Sequence, residues 1–104
     1  MEFKAFKMKL LPGFELEYKK RHDEIWPELS TLLSERGIYD YGIFLDEETL
    51  TLFAVQKLKE NADVANITKD PILRKWWDYM ADIMETNADN SPVEKSLKEV
   101  FYMK

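Results

Sequence analysis

The sequence predicts an α+β fold, in which helices cover one face of an antiparallel sheet. Three observations carry this prediction. Four segments have the apolar spacing of strands, two longer segments have apolar residues at helical steps of three and four, and turn-forming residues separate them. A chain of 104 residues suits one domain, so we expect residues 1–104 to form a single domain.

The first strand is predicted over residues 3–11, where apolar and basic residues alternate before a Pro-Gly turn. Residues 14–36 then have the spacing of a helix in two pieces. Pro27 suits the first turn of the second piece, because its missing N–H is not needed there. Gly37 is placed as the residue that ends this helix.

Residues 38–46 and 50–58 are predicted to form two strands joined by a short polar stretch, the pattern of an antiparallel hairpin. Asn61 is placed to cap a short helix through Thr68, and Asp70 to cap a longer helix that runs to about Met84. A last strand is expected near 96–103. The resulting order, β-α-β-β-α-β, is the ferredoxin-like arrangement.

The hairpin strands are apolar on both faces, whereas the helices of this fold cover only one. The alternation in the first hairpin strand puts Tyr39, Tyr41, Ile43 and Leu45 on one face and Ile38 and Phe44 on the other. The second strand divides in the same way, with Phe53 and Val55 opposite Leu52 and Ala54. An exposed apolar sheet favours aggregation. We therefore expect a second copy to cover it, forming a homodimer through the sheet face, a dimeric α+β barrel.

Composition excludes several classes of function. The net charge is −5 and the basic residues are scattered, so we expect no nucleic-acid partner. The chain has no cysteine and one histidine, and its carboxylates lack the spacing of a calcium loop, so we expect no metal. No glycine-rich nucleotide motif is present, so we expect no cofactor. No apolar run approaches membrane-spanning length, so we expect no membrane partner. The absence of cysteine fits a cytoplasmic protein.

The remaining chemical signals are one histidine and a cluster of aromatic residues. Tyr18 and His22 are four residues apart and share a helix face. An imidazole near its ordinary pKa suits general acid–base catalysis, although a boundary histidine packed on a neighbour has the same pattern. Trp76 and Trp77 point about 100° apart on a helix, so one can pack in the core while the other lines a cavity. Tyr41 projects from a strand, toward a ligand or into ordinary sheet packing.

Three motifs together resemble the L-rhamnose mutarotase family, and the resemblance covers essentially the whole chain. They are EYKKRHDEIWPEL at residues 17–29, KWWDYM at 75–80, and NADNSPV at 87–93 followed by the terminal EVFYMK. Residues 23–24 are Asp-Glu where some members carry Asn-Pro. The resemblance implies a dimeric α+β barrel that interconverts the α and β anomers of L-rhamnose, in rhamnose catabolism in the cytoplasm. It also implies that His22 is the proton donor and that the substrate contacts are Tyr18, Tyr41, Trp76 and Trp77.

The base that accompanies the donor is left open by the sequence. The options are Asp78, Asp82, Asp40, a tyrosine or a bound water. Two other functions fit the same pattern: a cofactor-independent monooxygenase on the same barrel, and a non-catalytic sugar-binding module. The first would consume oxygen, and the second would bind L-rhamnose without speeding anomer exchange.

Overall fold

A computed structural model describes residues 2–104, over which the chain forms an antiparallel sheet with strand order β2-β3-β1-β4. The order and pairing are ferredoxin-like, which confirms the predicted fold class. In chain order the elements are β1 Glu2–Lys9, α1 Glu15–Asp23, α2 Pro27–Glu35, β2 Ile38–Asp46, β3 Thr51–Leu58, α3 Val64–Ile67, α4 Pro71–Met80 and β4 Lys95–Leu97.

The first long helical segment is broken in two, as predicted. Trp26 has an extended backbone (φ −59°, ψ 130°), the conformation favoured before a proline, and Pro27 begins α2. Gly37 follows that helix with φ +90°, where a side chain would be strained. A Cβ atom at Gly37 would also lie 2.9 Å from Cα of Ala62, so the glycine allows the close approach of the two segments.

A β-bulge changes the predicted faces of β2. Two residues, Asp40 and Tyr41, oppose the single residue Gln56 of β3, and Asp40 has a left-handed backbone with φ 46°. The sequence prediction assumed unbroken alternation, which put Ile38 on the face opposite Ile43. This was wrong, because the extra residue reverses the alternation and Ile38 pairs with Leu58 on the buried face.

Two helix boundaries also differ from the prediction. The short helix is capped by Asp63 rather than Asn61, because the preceding backbone is hydrogen bonded to the end of α2: the Asp63 N–H donates to the Arg36 carbonyl at 3.0 Å. The last helix ends at Met80 instead of continuing to Met84. Residues 83–85 leave it to pair with the end of β1, and the Leu11 N–H donates to the Ile83 carbonyl at 2.9 Å.

The last strand is shorter than the predicted segment 96–103. Only Lys95–Leu97 pair with β1, and residues 98–104 are exposed. The apolar pattern of this tail suggests a strand, but a strand needs a partner, and the described chain offers it none beyond Leu97.

The core lies between the sheet and the helices, where β1 and β3 contribute alternate residues. The opposite, outer face of the sheet carries Phe44, Phe53, Val55 and Leu97, all exposed in the single chain, with Phe44 at 68%. The sequence had predicted two apolar faces.

Within residues 2–104, each helix is too short or too polar to cross a bilayer.

The two adjacent tryptophans of α4 differ in burial, and we expect this to appear in stability. Trp76 is 7% exposed and belongs to the core, whereas Trp77 is only partly buried. Trp76→Ala should lower the free energy of unfolding by about 3–5 kcal/mol, because it leaves a cavity in the core. Trp77→Ala should lower it by about 1–2 kcal/mol, because the space left at this position stays open to water. Urea unfolding measures both, and equal losses would contradict this division.

Candidate active site

A cavity of about 1080 Å³ lies between the sheet and the helices. Residues from each of the three sequence motifs line this cavity. The helix α1 and the residues after it form one wall, α4 forms a second wall, and residues 87–94 form part of the rim. All five predicted site residues line this cavity, namely Tyr18, His22, Tyr41, Trp76 and Trp77. The structure therefore brings together residues that are separated by up to about half the chain.

His22 is held between two aromatic rings in the last turn of α1. Its imidazole stacks on Tyr18 with ring centroids 4.3 Å apart, and meets Trp76 edge to face at 5.4 Å. Its Nδ1 lies 3.1 Å from the backbone carbonyl oxygen of Tyr18. Because a carbonyl only accepts hydrogen bonds, Nδ1–H is the donor, and Nε2 is the nitrogen left for chemistry.

Burial controls the protonation of this site. It lowers the pKa of His22, while the hydrogen bond to the Tyr18 carbonyl opposes that change. The neutral imidazole is therefore the resting form at neutral pH, and the imidazolium is a stronger acid than a free one. Burial also raises the pKa of Tyr18 well above its ordinary value, so this phenol keeps its proton.

Tyr41 reaches the cavity because of the bulge in β2. The residue is 38% exposed in the single chain, yet burial around the hydroxyl, with a smaller contribution from Glu94, raises the pKa of Tyr41 to about 12. The amide of Gln56 opposes this increase. Tyr41 is therefore a phenol at neutral pH and acts as a hydrogen-bonding group at the cavity wall.

Two further aromatic residues extend the cluster beyond the predicted set. Trp26 meets Trp76 edge to face at 5.1 Å and stacks on Tyr79 at 5.7 Å. The Trp-Pro pair in the sequence could have predicted the place of Trp26, because the extended backbone before Pro27 directs this side chain back toward α4. No comparable pattern in the sequence predicted the place of Tyr79, because Trp26 and Arg21, which contact its ring, come from a distant part of the chain.

Arg21 fixes the other side of this cluster. Its guanidinium lies over the Tyr79 ring at 4.3 Å and donates to the Tyr79 carbonyl at 2.8 Å and to Asp82 at 2.9 Å. It also donates to Glu17 at 2.7 Å, and its side chain is only 11% exposed. This arginine therefore joins α1 to the end of α4.

The three aspartates considered as the base do not line the cavity within the described chain. Asp82 pairs with Arg21, which holds the pKa of that carboxyl below its ordinary value. Asp40 pairs with Lys57 at 3.1 Å, and Asp78 accepts from Asn90 at 3.0 Å. The sequence left all three open as the base, but their side chains are engaged elsewhere.

The rim at residues 87–92 is tied to α4. Arg74 donates to Asp89 at 3.0 Å and lies 5.1 Å from the centre of the Trp77 ring. Ser91 donates to the same carboxylate, and hydrogen bonds from Ser91 and Arg74 lower the pKa of Asp89 to about 2. Among residues 2–104, no group of three or more His, Asp or Glu side chains is placed to hold a metal ion.

Comparison with known proteins gives one consistent family. The family model for L-rhamnose mutarotase matches residues 4–103. An L-rhamnose mutarotase from Flavobacterium johnsoniae is 63% identical over 99 residues, which cover 95% of this chain and 92% of that protein. One from Phocaeicola vulgatus is 57% identical over 103 residues and covers 99% of both chains.

Solved structures agree with the sequence comparisons. The crystal structure of L-rhamnose mutarotase from Formosa agariphila has a TM-score of 0.92 and 56% identity and covers 100% of both chains. A Pseudomonas aeruginosa structure with a TM-score of 0.54 and 10% identity shares the fold alone. The resemblance found in the sequence motifs is confirmed, and the chain belongs to the L-rhamnose mutarotase family.

Proposed function

We propose that this cavity interconverts the α and β anomers of L-rhamnopyranose, with His22 as the acid–base group. Membership of the family makes the chain an isomerase. The observation that carries the assignment of residues is the lone imidazole, which is fixed through Nδ1 and lines an aromatic cavity. As in other members of the family, we expect the reaction to serve rhamnose catabolism in the cytoplasm.

The reaction breaks the bond between C1 and the ring oxygen O5, and closes it again on the other face of the aldehyde. Opening adds one proton to O5 and removes one from the O1 hydroxyl. We propose that the His22 imidazolium donates through Nε2 to O5 as the bond breaks. The neutral imidazole then accepts the O1 proton, which restores the imidazolium. Since both oxygens are bonded to C1, one nitrogen serves them in turn, and the reverse steps give the other anomer.

The aromatic residues suit a deoxy sugar. A pyranose presents C–H faces and a methyl group that pack on rings, and hydroxyls that need hydrogen-bond partners. Trp76 and Trp77 supply apolar surface and indole N–H groups. Tyr18 and Tyr41 remain phenols because burial raises the pKa of both, so each is able to donate to a sugar oxygen.

The assembly that we propose is a homodimer through the outer face of the sheet. Phe44 and Phe53 are paired neighbours there, and Val55 and Leu97 lie in the adjacent row, on either side of Ala5. These exposed apolar side chains form a contiguous patch, which is typical of an interaction surface rather than of a free sheet.

The function is tested by NMR saturation transfer between the α and β anomeric protons of L-rhamnose. Wild-type protein should accelerate exchange over buffer, and His22→Gln should lose about 10²-fold or more of that acceleration, because glutamine does not titrate. Asp40→Asn serves as the matched control, since asparagine also tolerates a left-handed backbone and this residue lies outside the cavity lining. Full activity in His22→Gln would refute the acid assignment. Sugar binding with exchange at the buffer rate would indicate a binding module.

The pH dependence tests which form of His22 reacts first. Its pKa is lowered by burial, so the imidazolium is lost as pH rises through that value. The catalysed kcat/KM should fall as pH rises through the folded pKa, which lies below the ordinary value of about 6.5, and the decrease should approach tenfold per pH unit above it. The same shift makes the folded state less stable as pH falls, because the unfolded chain then binds more protons. The assay therefore stays above about pH 5. A rate that increases with pH would mean that the neutral imidazole acts first, as a base.

Size-exclusion chromatography with light scattering tests the homodimer. The wild type should elute as a dimer, and Phe53→Glu should shift it toward monomer, because symmetry brings the buried carboxylate into the interface twice. Leu16→Glu is the control, since Leu16 is an exposed apolar residue on α1 rather than on the sheet. A wild-type monomer, or a dimer unchanged by Phe53→Glu, would contradict this interface.

A further inference from the structure

Gln56 is a buried polar side chain whose acceptor has no partner. It lies in β3 between Val55 and Lys57, directs its side chain toward the helices, and is 6% exposed. Within residues 2–104, its Oε1 receives no hydrogen bond. Native proteins rarely keep such an acceptor, because it has lost its water without gaining a donor. Gln56 also lines the cavity that contains His22.

The strands on either side explain how this acceptor stays unpaired. On β1, Lys4 stands opposite Gln56 and also lines the cavity, but its ammonium lies over the Phe6 ring at 5.4 Å. On β2, the bulge puts Asp40 and Tyr41 opposite Gln56. The Gln56 amide lies beside Tyr41, where it opposes the rise in the pKa of that phenol. Of the polar atoms of Gln56, the oxygen is the one left buried without a partner within residues 2–104.

We propose that Gln56 is a substrate-positioning residue, whose Oε1 accepts a hydrogen bond from one hydroxyl of the sugar bound in the cavity. This inference rests on the proposed function, since it concerns the same site. It adds a buried amide acceptor to the phenols, indoles and imidazole of the predicted site residues. A site with a dedicated acceptor discriminates strongly against an analogue that lacks the hydroxyl, because the buried oxygen is then left unpaired.

The decisive variant is Gln56→Met, which keeps the length of the side chain and removes its polar atoms. The dissociation constant of L-rhamnose, measured by NMR titration, should increase about tenfold, the usual effect of one lost hydrogen bond. The kcat of anomer exchange should change by less than about threefold. The lost hydrogen bond is expected to hold the sugar equally well in the ground state and in the transition state, so its removal weakens binding without slowing the chemical step. The urea midpoint should change little, because the variant loses the amide beside Tyr41 but also removes a buried acceptor that has no partner.

Lys57→Met is the matched control on the same strand. Its side chain points to the outer face of the sheet, away from the cavity, and its ion pair with Asp40 is exposed in the single chain and worth little. It should leave the affinity for L-rhamnose unchanged. An equal loss of affinity in both variants would mean that any change in β3 disturbs the site, and the inference would fail.

Deoxy sugars identify the hydroxyl and separate binding from structure. The 2-, 3- and 4-deoxy derivatives of L-rhamnose are titrated against wild type and Gln56→Met. One derivative should bind the wild type about tenfold more weakly than L-rhamnose, and this difference should disappear in Gln56→Met. If every derivative shows the same ratio in both proteins, or Gln56→Met only lowers stability, the proposal is wrong. Wild-type exchange at the buffer rate would instead refute the proposed function, because affinities are measured independently of turnover.

Discussion

The packing of Trp76 is the interaction on which both the fold and the site depend. This buried indole meets Trp26 edge to face from one side and His22 edge to face from another. It therefore joins α4 to both halves of the broken helical segment. Because the same ring supports the imidazole and closes one wall of the cavity, the geometry of the site is a consequence of core packing. A change that loosens this contact also loosens the position of His22.

Pro27 and the β2 bulge are the two backbone devices that bring aromatic side chains to this core. The proline imposes an extended backbone on Trp26, which turns it toward Trp76. The bulge inserts one extra residue opposite Gln56, which brings Tyr41 to the cavity wall and returns Ile38 to the buried face. Both devices are local departures from regular structure, and each one serves the site.

The protonation states follow from the same burial. A dry aromatic setting lowers the pKa of His22 and raises the pKa values of Tyr18 and Tyr41. These three residues are therefore one imidazole whose pKa lies below its ordinary value and two phenols that keep their protons at neutral pH. As the C1–O5 bond breaks in mutarotation, O5 gains a proton and the O1 hydroxyl loses one, so one titrating group with fixed neighbours suits the reaction. No covalent nucleophile is needed for such a reaction.

The sequence by itself determined the element order, the division of the first helix and the ferredoxin-like class, because proline, glycine and apolar periodicity act locally. It also predicted the five residues that we propose for the site. The family resemblance supplied the roles of those residues. Only the tertiary structure decided what depends on distant partners. It removed Asp40, Asp78 and Asp82 from the cavity lining, added Trp26 and Tyr79 to the cluster, and left the Gln56 acceptor free. Whether a polar atom has a partner is set by other segments of the chain, and sequence spacing does not contain that information.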